Sequence, residues 1–138
     1  MKKVLGIMLL TVSTFLLVAC QPGRTTASGL GFVTFEVYGD DDVLIASETV
    51  AFHDGDTLLG LLRETFTVYC ADAEGGPDDT CAYVGAYGVY LVAIAGISAD
   101  AAENEYIAFY VNGVYATAGV DTTAITDGNV YAFKLESY

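Results

Sequence analysis

An Asn-Gly pair at residues 112 and 113 places the tightest constraint on how this chain can fold. The pair separates two apolar runs, residues 106–111 and residues 114–117. Asn-Gly is the strongest short signal for a two-residue type I′ hairpin turn, because both turn positions require a positive φ. A two-residue turn also fixes the strand register, so we expect Tyr110 to face Tyr115 across the hairpin.

Alternation along this hairpin sorts its side chains onto two faces. One face is uniformly apolar and should pack into the core: Ile107, Phe109, Val111, Val114, Ala116 and Ala118. The other face holds tyrosine rings with small residues between them, which suits either ordinary solvent exposure or a flat, partly polar ligand. Both interpretations stay open, and the candidate ligand-binding residues are Tyr106, Tyr110, Tyr115 and Thr117.

Two further patterns predict the rest of the fold. Residues 32–38, 43–52, 67–71 and 130–136 have the composition or the alternation of strands, and residues 81–97 form a long apolar stretch interrupted by glycines. Leu58, Leu62 and Phe66 recur at helical spacing after an N-cap at Asp56 or Thr57, which predicts one helix of about three turns. The expected fold class is α+β, a single compact domain with a mainly antiparallel sheet of about six or seven strands and one helix packed on it.

The start of the chain resembles a bacterial lipoprotein signal peptide. A basic start is followed by an apolar run from residue 4 to residue 18, and then by Ala19 and Cys20. Cys20 is therefore the expected lipidation site, which places the protein at the cell membrane, facing the extracytoplasmic side. The alternative is a transmembrane anchor with an incidental cysteine, but the run is short for a span and no stop-transfer charge follows it.

These features divide the chain into three parts. Residues 1–19 are the predicted signal peptide, residues 20–30 are the lipidated cysteine with a flexible tether, and residues 31–138 are the folded domain. The segment after Cys20 reads QPGRTTAS, which is too polar and small to order itself by burying apolar surface.

The charge balance is strongly acidic. The chain has five Lys and Arg residues against eighteen Asp and Glu residues, and loss of Lys2 and Lys3 with the signal peptide would leave a net charge of −15. Such a domain would repel nucleic acid, which we exclude as a partner, and also anionic lipid headgroups, so membrane attachment requires the covalent lipid. The acidity fits either solubility of an exposed domain or attraction to cations and basic partners.

Cys70 and Cys81 remain as an even pair once Cys20 is assigned to lipid. They flank the loop ADAEGGPDDT, and in an exported protein they are expected to form a disulfide that closes a twelve-residue ring. Two buried free thiols or a redox pair are the alternatives, although the Cys-x-x-Cys spacing of redox motifs is absent.

Catalytic and metal-binding motifs are not evident in the sequence. His53, the one histidine, stands beside Asp54 and is interpreted as a turn residue before the helix, with a general base or metal ligand as the alternative. The acidic clusters do not match a calcium-binding loop, which leaves weak surface binding of calcium as the open alternative. We predict no catalytic residue, no metal and no cofactor.

Three stretches resemble the bacterial transcobalamin C-terminal-like domain family: GDTLLGLLRETF, GISAD and YIAFYVNGVYATAGVDTTAITDGNVYAFKLE. The resemblance covers residues 32–138. It implies a compact, β-grasp-like domain with one helix, usually at a cell surface, and it raises cobalamin or another corrinoid as a ligand. The resulting hypothesis is a non-enzymatic extracytoplasmic binding module. The alternative is a cell-surface interaction or adhesion domain that contacts another envelope protein through a strand edge or its acidic loops.

Overall fold

The structure is a computed structural model that describes residues 25–138. The predicted signal peptide and Cys20 lie outside the described residues, so the predicted division into signal peptide, tether and domain stays a prediction. Within the described part of the chain, none of the helices has the length and apolar character needed to cross a bilayer.

Nine strands and one α-helix make up the described chain, which confirms the predicted α+β class. Two short 3₁₀ turns, Asp40–Asp42 and Ala101–Glu103, join strands. Three of the nine strands have only two residues, and this accounts for the excess over the six or seven predicted. In chain order the elements are β1 (Gly31–Tyr38), β2 (Leu44–Phe52), α1 (Leu58–Thr65), β3 (Val68–Ala71), β4 (Pro77–Asp78), β5 (Leu91–Ile94), β6 (Ile97–Ser98), β7 (Glu105–Val111), β8 (Val114–Tyr115) and β9 (Val130–Ser137).

The strands form two sheets. The larger has the order β2-β1-β9-β7-β8, and the smaller has the order β4-β3-β5-β6. Antiparallel pairs dominate, as predicted, but β1 and β9 pair in parallel, with Thr34 opposite Val130 and Tyr38 opposite Lys134. The first and last strands therefore lie side by side inside the larger sheet.

One face of the larger sheet forms the core. The predicted inward residues of β1, Val33, Phe35 and Val37, are all buried. They meet Tyr131 and Phe133 of β9, whose rings lie about 6 Å from that of Phe35 by centroid distance. Burial of such side chains supplies about 1.5–3 kcal/mol each, so this cluster contributes substantially to the domain's stability.

Helix α1 adds its leucines to this core. Leu58, Leu61 and Leu62 are buried, and the Thr57 side chain accepts a hydrogen bond from the Gly60 N–H at 3.1 Å, which makes Thr57 the N-cap. The helix has eight residues, about two turns instead of three, because Phe66 is already extended and acts as the C-cap. Thr57 was one of the two predicted caps.

The predicted disulfide is present between Cys70 and Cys81, with a Cα–Cα distance of 5.0 Å. It ties β3 to the segment that follows β4. After Cys81 the long apolar stretch does not become a strand until Leu91. A turn closed by hydrogen bonds between Gly85 and Gly88 interrupts it, so residues 87–90 form a loop that lies against other parts of the chain.

Candidate ligand-binding cleft

The hairpin at residues 112 and 113 has the predicted register. Asn112 and Gly113 both have positive φ, at 49° and 80°, and Tyr110 pairs with Tyr115. Strand β8 ends at Tyr115, earlier than the predicted Thr117, and one more backbone hydrogen bond, from the Ala116 N–H to the Phe109 carbonyl, follows it. Among the described residues, no strand pairs with the β8-facing edge of β7 over residues 105–108.

A cleft of about 280 Å³ lies beside this free edge of β7. Of the candidate residues, Tyr106, Tyr115 and Thr117 line it. The loop before β5 adds Tyr87 and Tyr90, which sequence reasoning missed. The structure thus brings four tyrosines and a threonine to one site, called here the tyrosine cleft, whose remaining lining is Gly88, Val89, Leu91, Ile107, Phe109, Ala116, Ala118, Gly119, Val120 and Phe133.

The loop that bears Tyr87 and Tyr90 is fixed by hydrogen bonds to distant residues. The Gly119 N–H donates to the Tyr87 carbonyl at 2.8 Å, and the Val89 N–H donates to Asp121 Oδ1 at 2.8 Å. A side chain at Gly88, where φ is 103°, would stand 2.6 Å from that same carboxylate oxygen. Glycine is therefore required at this position, which also explains why the apolar stretch turns here instead of continuing as a strand.

Tyr110, the fourth candidate, lies on the outer face of the sheet and does not line the tyrosine cleft. Its hydroxyl donates to Glu136 Oε1 at 2.6 Å, and the Tyr106 hydroxyl donates to Glu136 Oε2 at 3.0 Å. The hydrogen bond to Glu136 is the main cause that raises the pKa of Tyr110 to about 12, and desolvation adds to it. The same two causes raise the pKa of Tyr106.

Lys134 occupies the space beside Tyr110 on this outer face. Its Nζ atom lies 5.1 Å from the Tyr110 ring centroid, 4.8 Å from the Tyr38 ring centroid and 3.5 Å from Asp42 Oδ1. Cation–π contacts of this kind contribute about 0.5–1 kcal/mol at exposed sites. The side chain also lies opposite Ala108, which is buried although the strand pattern predicts an outward position. Tyr110 is thus engaged by the protein itself.

The position of Val114 corrects the predicted core face of the hairpin. Val114 is 70% exposed although it shares a side with the buried Ile107. Within residues 25–138, β8 is the edge strand of its sheet and no strand lies beyond it, so apolar residues on it find little to pack against.

The titratable side chains of the described residues do not form a metal-binding cluster. In residues 25–138 no group of three or more His, Cys, Asp and Glu side chains is placed to hold a metal ion. The His53 side chain is 71% exposed, with Nδ1 3.7 Å from Asp56 Oδ2, as expected of a turn residue. All eighteen acidic residues lie in this part of the chain, against two basic ones, Arg63 and Lys134.

The described chain is thus a small α+β domain with two sheets, and its tyrosine cleft lies beside the β7–β8 hairpin. Residues 55–137 match the family model described as "Domain of unknown function (DUF4430)", and the chain belongs to this family. Curated protein sequences include no match to this chain.

Two solved structures share the fold. One is a crystal structure of a protein from Ruminococcus gnavus ATCC 29149, provisionally described as metal-binding. It has a TM-score of 0.59 and 17% identity, over 78% of this chain and 98% of that one. The other is haptocorrin in complex with Cbi, with a TM-score of 0.57 and 14% identity, over 80% of this chain and 26% of that one. The second similarity supports the resemblance to transcobalamin-like domains at the level of the fold.

Proposed function

We propose that this protein is a lipid-anchored, extracytoplasmic binding module without enzymatic activity. Its ligand is a small, flat, partly polar molecule held in the tyrosine cleft, and a corrinoid is the leading candidate. The observation that supports this proposal most is the convergence of Tyr106, Tyr115 and Thr117 with Tyr87 and Tyr90 around one cleft beside an unpaired strand edge.

The chemistry of the cleft suits such a ligand. Tyrosine rings offer rigid apolar faces, and each aromatic contact contributes about 0.5–1.5 kcal/mol beyond its area burial. The hydroxyl groups of the cleft other than that of Tyr106, which donates to Glu136, supply donors and acceptors for polar substituents at the ligand's rim. The backbone edge of β7 at Ile107, which no strand covers among the described residues, adds to them. The cleft therefore combines a stacking surface with directional hydrogen bonds.

The size of the cleft and the charge of the domain limit the kinds of ligand that can bind. The cleft has a volume of about 280 Å³, just below the 300–1,000 Å³ that is usual for ligand pockets, so a ligand of corrinoid size would be held on one side only. We therefore expect micromolar affinity, about −8 kcal/mol. The excess of acidic residues favours a neutral or positively charged ligand over an anion.

Similarity to haptocorrin makes cobinamide (Cbi) the first ligand to test. The full-length protein in detergent micelles is titrated with cobinamide and followed by the visible spectrum and by calorimetry. We expect saturable binding that the Tyr106→Ser/Tyr115→Ser double variant weakens at least tenfold. Tyr83→Ser is the matched control, since Tyr83 is exposed and lines no part of the cleft. Binding that is absent in the wild type, or equal in all three proteins, would reject the proposal.

The anchor is a separate part of the proposal and has its own test. The proposal of an anchor is based on the sequence before residue 21, and it predicts that Cys20 acquires a diacylglycerol group. Cells are grown with an alkyne-bearing palmitate, and the tagged protein is recovered from membranes. We expect label in the wild type and none in the Cys20→Ser variant, which should leave the membrane fraction. Equal labelling of the two proteins would contradict lipidation at Cys20.

A cell-surface interaction domain is the second candidate, and edge strand β2 is the surface that it would use. Val43, Leu44 and Ile45 near its start are each about half exposed. However, Ile45 forms a bulge, and Glu48 places a charge opposite Phe35 on the side that faces the core. Bulges and inward charges are features that oppose pairing at a sheet edge, so they favour ligand binding as the leading proposal.

A further inference from the structure

A second cavity lies on the outer face of the smaller sheet, next to the tyrosine cleft. Its volume is about 560 Å³, twice that of the cleft. It is called here the outer trough, and its lining is mostly apolar: Tyr69, Ala71, Gly75, Pro77, Tyr90, Val92, Ala93, Ser98, Ala99, Ala101 and Glu105. None of the residues predicted from the sequence as ligand-binding belongs to it.

The outer trough adjoins the tyrosine cleft at Tyr90. Tyr90 lines both cavities. Strands β5 and β7 contribute to both linings, since Leu91 and Tyr106 line the cleft and the adjacent Val92 and Glu105 line the trough. The Tyr90 ring, which is 51% exposed, thus stands at the junction of the two spaces.

The lining of the trough is rich in alanine and aromatic side chains. Ala71, Ala93 and Ala99 keep the floor low, so that a planar molecule can approach the sheet closely. Tyr69 and Tyr90 stand beside this floor as aromatic walls. Such walls and such a floor provide stacking and dispersion contacts but few hydrogen bonds, in contrast to the cleft with its hydroxyl groups and free strand edge.

We propose that the tyrosine cleft and the outer trough are two halves of one elongated binding site, with the Tyr90 ring as the platform shared by both. The inference rests on the proposed function and specifies its ligand class. The ligand is a flat molecule with a polar rim that enters the cleft and an apolar part that lies in the trough. It is neutral or positively charged, because Glu105 lies at the rim of the trough and the surrounding surface is acidic.

Two variants test whether both halves of this site contribute to binding. Tyr90→Ser removes the shared ring, and Ala93→Phe fills the trough without touching the cleft. Phenylalanine suits this position, because Ala93 lies on β5 opposite Tyr69 and Ser98, and aromatic residues are favoured in strands. Tyr83→Ser again serves as the matched control, since Tyr83 lines neither cavity.

The test is the titration of the full-length protein with cobinamide in detergent micelles, with thermal melting as the check on folding. We expect Tyr90→Ser and Ala93→Phe each to raise the dissociation constant about tenfold, roughly the effect of losing aromatic and packing contacts to a ligand. The Tyr83→Ser variant should bind as the wild type does.

The outcomes distinguish this inference from the proposed function. If the Tyr106→Ser/Tyr115→Ser variant loses affinity while Ala93→Phe keeps it, the two-part site is wrong and the cleft alone binds the ligand. If the wild type itself does not bind cobinamide, both the corrinoid proposal and the two-part site built on it are wrong. Loss of affinity in both Tyr90→Ser and Ala93→Phe, with unchanged melting temperatures, supports the inference.

Discussion

Removal of the disulfide between Cys70 and Cys81 tests how the smaller sheet is held together. The bridge closes a ring of twelve residues, with a sequence separation of 11. The chain-entropy model gives about 3 kcal/mol for a ring of this size. Both cysteines are buried, so their replacement by alanine also removes packed sulfur atoms at a further cost of roughly 1 kcal/mol. We expect a Cys70→Ala/Cys81→Ala variant to lose about 3–4 kcal/mol of unfolding free energy.

The surrounding structure explains why this loss should affect the outer trough as well. Strand β4 pairs with β3 through only two residue pairs, Cys70 with Asp78 and Ala71 with Pro77. Without the bridge, β4 and the loop before it gain freedom, and they supply Pro77 and Gly75 to the lining of the trough. The double variant should therefore also bind cobinamide more weakly.

Urea unfolding followed by circular dichroism measures the effect on stability. The wild type and the Cys70→Ala/Cys81→Ala variant are compared at equal concentration, with and without a reducing agent. The midpoint should be lower in the variant, the reductant should lower it in the wild type, and the variant should not respond to the reductant. A variant within 1 kcal/mol of the oxidised wild type, roughly the size of an ordinary point-mutation effect, would refute the reasoning.

Three further predictions concern the core, the hairpin turn and the outer face. Leu62→Ala should lower the unfolding free energy by about 2–5 kcal/mol, because Leu62 is fully buried. Leu44→Ala, at an exposed position, should change it by less than about 0.5 kcal/mol. Similar losses for the two variants in urea unfolding would contradict the assignment of Leu62 to the core. Asn112→Ala should cost about 1–2 kcal/mol by the same assay, because alanine is strained at positive φ, while Asn112→Gly should cost less; equal losses would argue against the turn type. The raised pKa of Tyr110 stabilises the folded state below pH 10, and this contribution is lost as the pH rises through about 12. In Glu136→Gln, phenolate absorbance should show Tyr110 titrating at lower pH, and an unchanged titration would exclude Glu136 as the cause.

Local signals in the sequence account for the parts of the fold that were predicted correctly. The Asn-Gly turn fixes its own register, and the alternation of Val33, Phe35 and Val37 specifies which side of β1 faces the core. In both cases the decisive residues are near one another in the chain. The parallel pairing of β1 with β9 joins residues about a hundred positions apart, and no local pattern could indicate it.

The candidate site was predicted in part for the same reason. The alternation of side chains along the hairpin correctly places Tyr106, Tyr110 and Tyr115 on one face. It does not indicate which residues each ring contacts. Glu136 and Lys134 of β9 engage Tyr110, whereas Tyr115 stays at the free edge of the sheet beside the cleft. Tyr87 and Tyr90 come from a loop far from the hairpin in sequence. The glycines at 85 and 88 were the signal for that loop, although they do not indicate where it folds to.

Fluorine NMR of the full-length protein labelled with 3-fluorotyrosine tests most directly whether the tyrosine cleft binds the ligand. Resonances are assigned by single tyrosine substitutions, and cobinamide is then added to saturation. The account predicts that the signals of Tyr90, Tyr106 and Tyr115 shift while that of Tyr83 stays in place. Shifts confined to tyrosines outside the cleft would contradict binding in the cleft. An unchanged spectrum at about 1 mM cobinamide would also contradict it, because a specific site should have a dissociation constant below roughly that concentration.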